Sequence, residues 1–202
     1  MNALSHPRLG LVLFVGAWIL SGCAMSSKAV KPSDPMGWQL LGLDGSVHTV
    51  AWKSNSELMV VEFLGSECPI ANRVLPELAR LAREFSSRGV QFVAVYPNVG
   101  ETAEAIRQHR EQLSDPTQVG MDPEQQMVSA LQVQVTPEVV VLARNGALVY
   151  RGRVNDQYAA LGKSKPAPTR HDLEVALRDY LTHRIASGVK TPPVGCRIQR
   201  LP

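Results

Sequence analysis

One cysteine, Cys68, stands where a buried strand is predicted to turn into a helix. The run before it is apolar and rich in β-branched residues, and Gly65 and Ser66 break that run. A cysteine at the start of a helix lies near unpaired N–H groups and the positive end of the helix dipole. That position favours the thiolate, which is the reactive form. Pro69 suits the first helical position, where its missing N–H costs nothing. The alternative is that Cys68 is a small buried hydrophobe.

The first residues have the pattern of an export signal. Leu9–Leu20 is an apolar run of about 12 residues, which is too short to span a bilayer comfortably. Ser21, Gly22 and Cys23 follow it, and small residues there are typical of a signal-peptide cleavage point. The ending resembles the lipobox of bacterial lipoproteins. That resemblance implies a mature chain that starts at a lipidated Cys23 and is anchored by acyl chains to a membrane of the bacterial cell envelope. The domain would face the periplasm or the exterior. A plain signal peptide or an uncleaved anchor is the alternative.

The number of cysteines then becomes informative. The sequence has three, and lipidation of Cys23 would leave Cys68 and Cys196. Outside the cytosol, two thiols in one small protein can persist as a disulfide. The segment from 187 to 196 has about ten residues and an extended reach of roughly 33 Å, which is about the diameter of a small domain. We therefore predict an intramolecular disulfide between Cys68 and Cys196 in at least one redox state.

The segment CPIAN, which begins at Cys68, resembles the active-site loop of the redoxins. These thioredoxin-like proteins include thiol–disulfide oxidoreductases and peroxiredoxin relatives. Cys68 and Pro76 have the spacing of the oxidoreductase motif, but Ala71 stands where its second cysteine would be. The loop is more similar to a redoxin subgroup that keeps one cysteine here and often ends in a segment like Gly195–Ile198. The resemblance implies that Cys68 is the nucleophile, with Cys196 as a candidate resolving cysteine.

Thr136 and Pro137 are the second part of the resemblance. In thioredoxin-like proteins a cis proline opens the strand that faces the active cysteine, and the residue before it presents backbone groups to an extended peptide or a second thiol. We therefore predict a cis bond between these residues and a substrate-binding role for both. An ordinary trans proline at a strand start is the alternative. Asn72 and Arg73, in the first helical turn after Cys68, are further candidates for substrate binding, unless they only face solvent.

The rest of the sequence predicts the elements that would position these residues. The order is strand, helix, strand, helix, a short strand and helix, hairpin and helix, with a small hairpin in front around Asp44-Gly45. The first half implies parallel strands joined by helices, and Asn145-Gly146 indicates an antiparallel hairpin. We expect an α/β, thioredoxin-like fold. It has a central mixed sheet flanked by helices, an N-terminal hairpin and an irregular C-terminal tail.

Two helix starts are predicted from capping residues. Asp122 followed by Pro123 is typical of an N-cap and a first helical position, so we expect a helix from there to about Leu131. Thr169 is predicted to cap the last helix, whose apolar face extends to Ile185.

These predictions divide the chain into four parts. They are a lipoprotein signal peptide (1–22), a flexible linker (23–36), a thioredoxin-like redoxin domain (37–186) and a tail that carries Cys196 (187–202).

Composition excludes some classes of function. The net charge of +3 is too small and too scattered to indicate nucleic-acid binding. The histidines are far apart, and Asn72 stands where thioredoxin-like copper chaperones have their second cysteine ligand. We therefore predict no metal site and no cofactor. A soft-metal site at Cys68 and Cys196 is the weaker alternative.

Three functions remain open. The first is an exported thiol–disulfide oxidoreductase acting on protein thiols or disulfides, in which Cys68 attacks and Cys196 resolves the mixed disulfide. The second is an antioxidant thiol peroxidase that reacts with peroxide through Cys68. The peroxidase hypothesis is weakened because Gly65 stands where peroxiredoxins place a threonine. The third is a non-catalytic binding or metal-handling module with a structural Cys68–Cys196 disulfide.

Overall fold

The computed structural model describes residues 37–201. The predicted signal peptide, the lipidation site Cys23 and the linker therefore lie outside the described residues. Within residues 37–201, none of the helices combines the length and the apolar character needed to cross a membrane.

Strands of mixed direction make up the centre of the domain. They are β1 (Gln39–Leu41), β2 (Val47–Thr49), β3 (Leu58–Phe63), β4 (Val90–Tyr96), β5 (Gln118–Met121), β6 (Val135–Thr136), β7 (Glu138–Ala143), β8 (Leu148–Gly152), β9 (Tyr158–Ala160), β10 (Lys163–Ser164), β11 (Val189–Lys190) and β12 (Cys196–Arg197). Eight of them form one sheet in the order β11-β8-β7-β3-β4-β5-β1-β2. β3, β4 and β5 run parallel, whereas β7 is antiparallel to β3 and β8 to β7. β1 and β2 form the expected N-terminal hairpin.

β3 lies in the middle of this sheet, and every one of its six residues is buried. Val60 belongs to the apolar cluster on one face of the sheet, and Val61 to the cluster on the other. A strand that is covered on both faces reads as a nearly continuous apolar run, which is how this segment appears in the sequence. The end of β3 is consequently a rigid base for the turn that carries Cys68.

Helices cover both faces of the sheet. They are α1 (Pro69–Ser86), α2 (Ala103–Arg110), α3 (Gln126–Leu131) and α4 (Asp172–His183). Leu78 of α1, Ile106 of α2 and Leu173 of α4 belong to one apolar cluster, whereas Met127 of α3 packs with Trp38 in the other. This arrangement confirms the predicted thioredoxin-like fold.

The predicted start of α3 is wrong by a few residues. The helix begins at Gln126 rather than Pro123, because Gln125 adopts a left-handed conformation with φ of 54° and interrupts the helical backbone. Asp122 still satisfies the helix N-terminus, since its carboxylate accepts hydrogen bonds from the backbone N–H groups of Gln126 and Met127, each at 2.9 Å.

The predicted cap of α4 is also wrong. The N-cap position is His171, and the Thr169 hydroxyl donates instead to the Asp156 carboxylate at 2.7 Å. Ile185 lies beyond the end of the helix and is 68% exposed, so the apolar face is shorter than the periodicity suggests.

The tail is largely without regular structure, as predicted, but contains two short strands. β11 pairs in parallel with β8 at the edge of the large sheet. β12 pairs antiparallel with β6, so that Cys196 lies opposite Thr136. A two-residue strand has no periodicity from which the sequence could predict it.

Candidate active site

Cys68 is the N-cap residue of α1, between the end of β3 and the first helical turn. Its backbone is extended, with φ of −81° and ψ of 114°, and Pro69 follows within the first helical turn as predicted. The Cys68 N–H donates to the Gly65 carbonyl at 3.1 Å, which closes the turn after the strand. The side chain is 4% exposed. Strand, turn and helix together fix the position of this thiol.

The Cys68 sulfur faces the strand that precedes Pro137. It donates a hydrogen bond to the Thr136 carbonyl oxygen at 3.1 Å, and no side-chain hydrogen bond caps α1 within the described residues. The Thr136–Pro137 peptide bond is cis, which confirms the prediction. Both residues thus lie beside the thiol, and Thr136 contacts it through its backbone.

The second cysteine is brought to the same place by the tail. The sulfurs of Cys68 and Cys196 are 2.8 Å apart, and both cysteines are free thiols. Cys196 sits opposite Thr136 in the β6–β12 pair. Two residues separated by 128 positions in the sequence therefore form one dithiol site.

Gly195 explains how the tail comes so close to β6. A Cβ atom at this position would lie 2.2 Å from the Thr136 carbonyl oxygen and 3.0 Å from the Pro137 nitrogen. Both are backbone atoms held by the strand, so they cannot move aside as a flexible side chain could. Only glycine permits this approach, which places the next residue, Cys196, over the thiol of Cys68.

The two thiols have different surroundings. Burial raises the pKa of Cys196 to about 11, and the neighbouring Cys68 acts in the same direction through a hydrogen bond and its charge. Cys196 is consequently held in its neutral thiol form at neutral pH. This favours the assignment of Cys68, rather than Cys196, as the group that attacks first.

A pocket of about 420 Å³ opens onto the two sulfurs. Its lining includes Thr136, Arg197, Gln199 and the segment from Asn98 to Glu101. Thr136 is 1% exposed, and its hydroxyl oxygen has no hydrogen-bond partner among the described residues. The pocket thus gives the two sulfurs an opening to solvent.

Glu101 holds the loop in front of Cys68. Its carboxylate accepts hydrogen bonds from the Ser66 backbone N–H at 3.0 Å and from the Ser66 hydroxyl at 2.6 Å. The Asn98 amide donates to the same carboxylate at 3.3 Å. Sequence reasoning missed these residues, because no motif links a loop after β4 with a turn some 35 residues earlier.

Asn72 and Arg73 lie on the other side of the cysteine turn. Both are exposed and line a separate groove of about 610 Å³ together with residues that include Gln157 and Lys165. With its nitrogen oriented toward acceptors, the Asn72 amide donates to His109 Nε2 at 2.8 Å and to the Cys68 carbonyl at 3.2 Å. The structure therefore brings Thr136, Pro137 and Cys196 to the thiol, but not these two side chains. Their role in substrate binding stays a prediction.

Glu62 is a buried carboxyl group on β3, six residues before Cys68. Burial raises its pKa to about 7; the nearby Arg110 guanidinium works in the opposite direction, and Asp115 adds to the rise. One of its carboxyl oxygens has no hydrogen-bond partner among the described residues. A carboxyl in this position changes protonation near neutral pH, inside the core that supports the cysteine turn.

One group of side chains resembles a metal site but is already neutralised. Oxygen or nitrogen atoms of Glu77, His171 and Glu174 lie within 4.8 Å of one another. Glu77 pairs with His171, and Glu174 pairs with Arg80 and Arg178. We interpret the group as an ion-pair network between α1 and α4.

Comparison with known proteins agrees with this geometry. The redoxin family model matches residues 29–164. The crystal structure of a hypothetical protein from Sinorhizobium meliloti is 24% identical, with a TM-score of 0.71, over 82% of this chain and 91% of that one. An uncharacterized conserved protein from Geobacillus kaustophilus is 26% identical, with a TM-score of 0.69, over 84% and 94% of the two chains.

A more distant structure is that of a protein with a named activity. A secreted Mycobacterium tuberculosis disulfide oxidoreductase homologous to Escherichia coli DsbE is 16% identical, with a TM-score of 0.51, over 74% of this chain and 98% of that one. No curated protein gives a significant sequence match. Since the family model covers more than half of the sequence, the chain belongs to the redoxin family.

Proposed function

We propose that this protein is a thiol–disulfide oxidoreductase in which Cys68 is the nucleophile and Cys196 the resolving cysteine. The observation that carries the proposal is the 2.8 Å separation of the two free thiols beside the Thr136–Pro137 cis bond. The activity of the secreted mycobacterial disulfide oxidoreductase supports it, since that protein shares the fold. The partners would be protein thiols or disulfides.

The reaction consists of two thiol exchanges. The Cys68 thiolate attacks one sulfur of a substrate disulfide, which forms a mixed disulfide and releases the other sulfur as a thiolate. Cys196 then loses its proton and attacks the Cys68 sulfur, which releases the second substrate thiolate. The substrate gains two electrons, and the protein is left with a Cys68–Cys196 disulfide. The same steps in reverse oxidise a substrate dithiol.

Trapping the intermediate tests this assignment. In a Cys196→Ser variant the mixed disulfide on Cys68 cannot be resolved, so it should accumulate with substrate proteins in cell extracts. Mass spectrometry after non-reducing electrophoresis would identify the captured proteins. The Cys68→Ser variant is the matched control and should capture none. Equal capture by both variants, or none by either, would contradict the proposal.

The peroxidase alternative receives less support from the structure. Peroxiredoxins place a threonine three residues before their reactive cysteine, and this chain has Gly65 there. A Cβ atom at Gly65 would lie 2.8 Å from the Asn98 amide nitrogen and 3.0 Å from the Thr136 hydroxyl oxygen. A threonine here would require small shifts of these two side-chain ends, so the weakness of the peroxidase alternative rests on the residue type at position 65 and not on lack of space. Consumption of hydrogen peroxide at a rate matching disulfide exchange would restore the peroxidase reading.

We also propose that the protein is a lipoprotein of the bacterial cell envelope. The sequence around Cys23 supports this, with a signal peptide at 1–22, a linker at 23–36, the redoxin domain at 37–186 and the tail after it. Mass analysis of the mature protein should find an acylated N-terminal Cys23. A mature N-terminus at any other residue would end the lipoprotein proposal.

A further inference from the structure

The edge of β6 next to Cys68 is already paired with the tail. Cys196 and Arg197 lie opposite Thr136 and Val135 in an antiparallel pair. The Ile198 N–H continues the pairing with a hydrogen bond to the Gln134 carbonyl at 3.0 Å. An unpaired strand edge is a template for an extended chain, and here the tail occupies that template.

An extended polypeptide that reacted with Cys68 would need the same place. The Cys68 sulfur is 3.1 Å from the Thr136 carbonyl, so a substrate sulfur bonded to it lies directly beside the β6 edge. The backbone on both sides of that substrate sulfur would run along the edge that Gly195, Cys196 and Arg197 now cover. The close approach of Gly195 to Thr136 leaves no space for a second chain between them.

A small disulfide does not meet this obstacle. The pocket of about 420 Å³ reaches both thiols while the tail is docked, between the loop from Asn98 to Glu101 on one side and Thr136 and Arg197 on the other. Ligand pockets for small molecules begin at roughly 300 Å³, so a disulfide with short substituents fits here while the tail is in place.

The tail is attached at separate points, so its outer part can detach while its first part stays bound. Its first anchor is at β11, where the Thr191 N–H donates to the Arg151 carbonyl at 2.9 Å. Its second anchor is at Ile198, which is 5% exposed and packs in the cluster of the α3 face. Hydrogen bonds from the Gln125 amide to the Gln199 carbonyl at 2.5 Å and from Arg200 to the Val133 carbonyl at 2.6 Å hold the residues that follow. A two-residue strand contributes little stability by itself. Loss of the Ile198 packing would therefore weaken the attachment of Cys196 and leave the rest of the domain folded.

We propose that the tail and an extended polypeptide substrate compete for the β6 edge. While the tail is docked, Cys68 reacts with small disulfides that enter through the pocket; polypeptide disulfides react after residues 195–198 have left the edge. Return of the tail then displaces the substrate chain and delivers Cys196 to the mixed disulfide. This inference rests on the proposed thiol–disulfide exchange and adds how substrates are admitted to it.

The test compares the reactions of two disulfides with variants that cannot resolve a mixed disulfide on Cys68. The background is Cys196→Ser, to which either Ile198→Asp or, as the matched control, Leu201→Asp is added. Both changes place a carboxylate in the tail, but Ile198 is buried whereas Leu201 is 45% exposed. The reactants are 2-hydroxyethyl disulfide and a neutral decapeptide dimerised through one central cysteine. The measurement is the rate of mixed-disulfide formation on Cys68.

We expect Ile198→Asp to raise the rate with the peptide at least about tenfold relative to the rate with the small disulfide. The background and the Leu201→Asp control should have the same rate ratio. Gly195→Ala in the same background is a second way to release the tail and should shift the ratio in the same direction. Hydrogen exchange should show loss of protection at 196–198 with β3 still protected.

The outcomes separate the two proposals. An unchanged ratio in both tail-releasing variants would overturn the competition. Failure of Cys68 to react with either disulfide in every variant would overturn the proposed oxidoreductase function, and the competition with it.

Discussion

Cys68 and Cys196 meet at one site but are held by different parts of the molecule. Cys68 is fixed by a central strand, a tight turn and an 18-residue helix, all within the core. Cys196 belongs to a two-residue strand that is held by the close approach of Gly195, by the buried side chain of Ile198 and by a few hydrogen bonds from the residues after it. Cys68, the proposed nucleophile, therefore has a fixed position, whereas Cys196 is held by fewer contacts, in a segment of the kind that opens locally in folded proteins.

This difference separates the two steps of the proposed reaction. Attack on a substrate requires only the fixed region and an open path to Cys68. Resolution requires the tail to be in place. Changes in the two regions should therefore affect different steps.

The largest expected effect comes from removing the fixed thiol. Cys68→Ser should lower disulfide reductase activity at least about a thousandfold, because no other described residue replaces the nucleophile. Cys196→Ser should keep the first step and abolish only turnover. Single-turnover and steady-state rates with the same disulfide would distinguish the two variants. Equal loss of the first step in both would remove the distinction between the regions.

A second effect concerns the stability of the core beneath Cys68. Burial raises the pKa of Glu62 in the folded protein to about 7, from an ordinary value of 4.5. Its contribution to stability is therefore fully present below the unfolded value and is lost as the pH rises from 4.5 through 7. Above that range Glu62→Gln should raise the free energy of unfolding by about 3 kcal/mol, and it should have little effect at pH 4.

Urea unfolding of wild type and variant at pH 4, 6 and 8 measures this difference. Glu111→Gln is a suitable control, because that carboxyl is exposed. A stability difference that does not change with pH would contradict the buried-acid interpretation.

Cys196 should dominate the pH dependence of the second step, in which the mixed disulfide is resolved. Because the pKa of Cys196 is raised to about 11, the fraction of thiolate grows about tenfold per pH unit through the neutral range. Resolution of a preformed mixed disulfide on Cys68 should accelerate about a hundredfold between pH 7 and 9. Quenched-flow measurement of the released thiol follows this step directly. A plateau below pH 8 would show that Cys196 is a more acidic thiol than its surroundings indicate.

The smallest effect should come from the tail backbone. Gly195→Ala must push the tail away from the Thr136 carbonyl, and overpacking of this kind costs about 1–3 kcal/mol. Formation of the Cys68–Cys196 disulfide by an added oxidant should slow about tenfold or more, while alkylation of Cys68 should not slow. Gly37→Ala is the control, since a Cβ there meets nothing within 4 Å. Unchanged disulfide formation would mean that the tail tolerates a wider separation from β6.

Much of the framework could be predicted because it depends on local signals. The apolar run before Gly65, the Asp44-Gly45 turn and the Asn145-Gly146 turn each specify an element from a few adjacent residues, and the observed strands agree with them. The Thr136–Pro137 bond was predicted through the redoxin resemblance and is cis.

The errors arise where side chains a few residues apart decide a boundary. Asp122 caps α3 although it lies several residues before the first residue of the helix. The dipeptide Asp122-Pro123 gives no sign of the turn that separates them. Thr169 has the chemistry of an N-cap, but Asp156 from another loop binds its hydroxyl. Capping residues indicate that a helix is near, whereas the competing partners determine where it starts.

The site could be predicted only where chemistry marks the residue. Cysteines are rare enough in this chain that Cys196 stood out without any structural signal. Glu101 is one acidic residue among many, and its role follows only from its hydrogen bonds to Ser66. Residues whose function is to hold a loop cannot be found by residue type.

The distance of 128 residues between the paired cysteines has a consequence for biosynthesis. While the chain is being made, Cys68 leaves the ribosome long before Cys196 exists, and within residues 37–201 it has no other cysteine to pair with. If a small disulfide exchanges with Cys68 in that interval, one of its halves stays bonded to the Cys68 sulfur and becomes the leaving group when β12 docks and Cys196 attacks. Once the chain is complete, Cys196 is present to release Cys68 from such a cap.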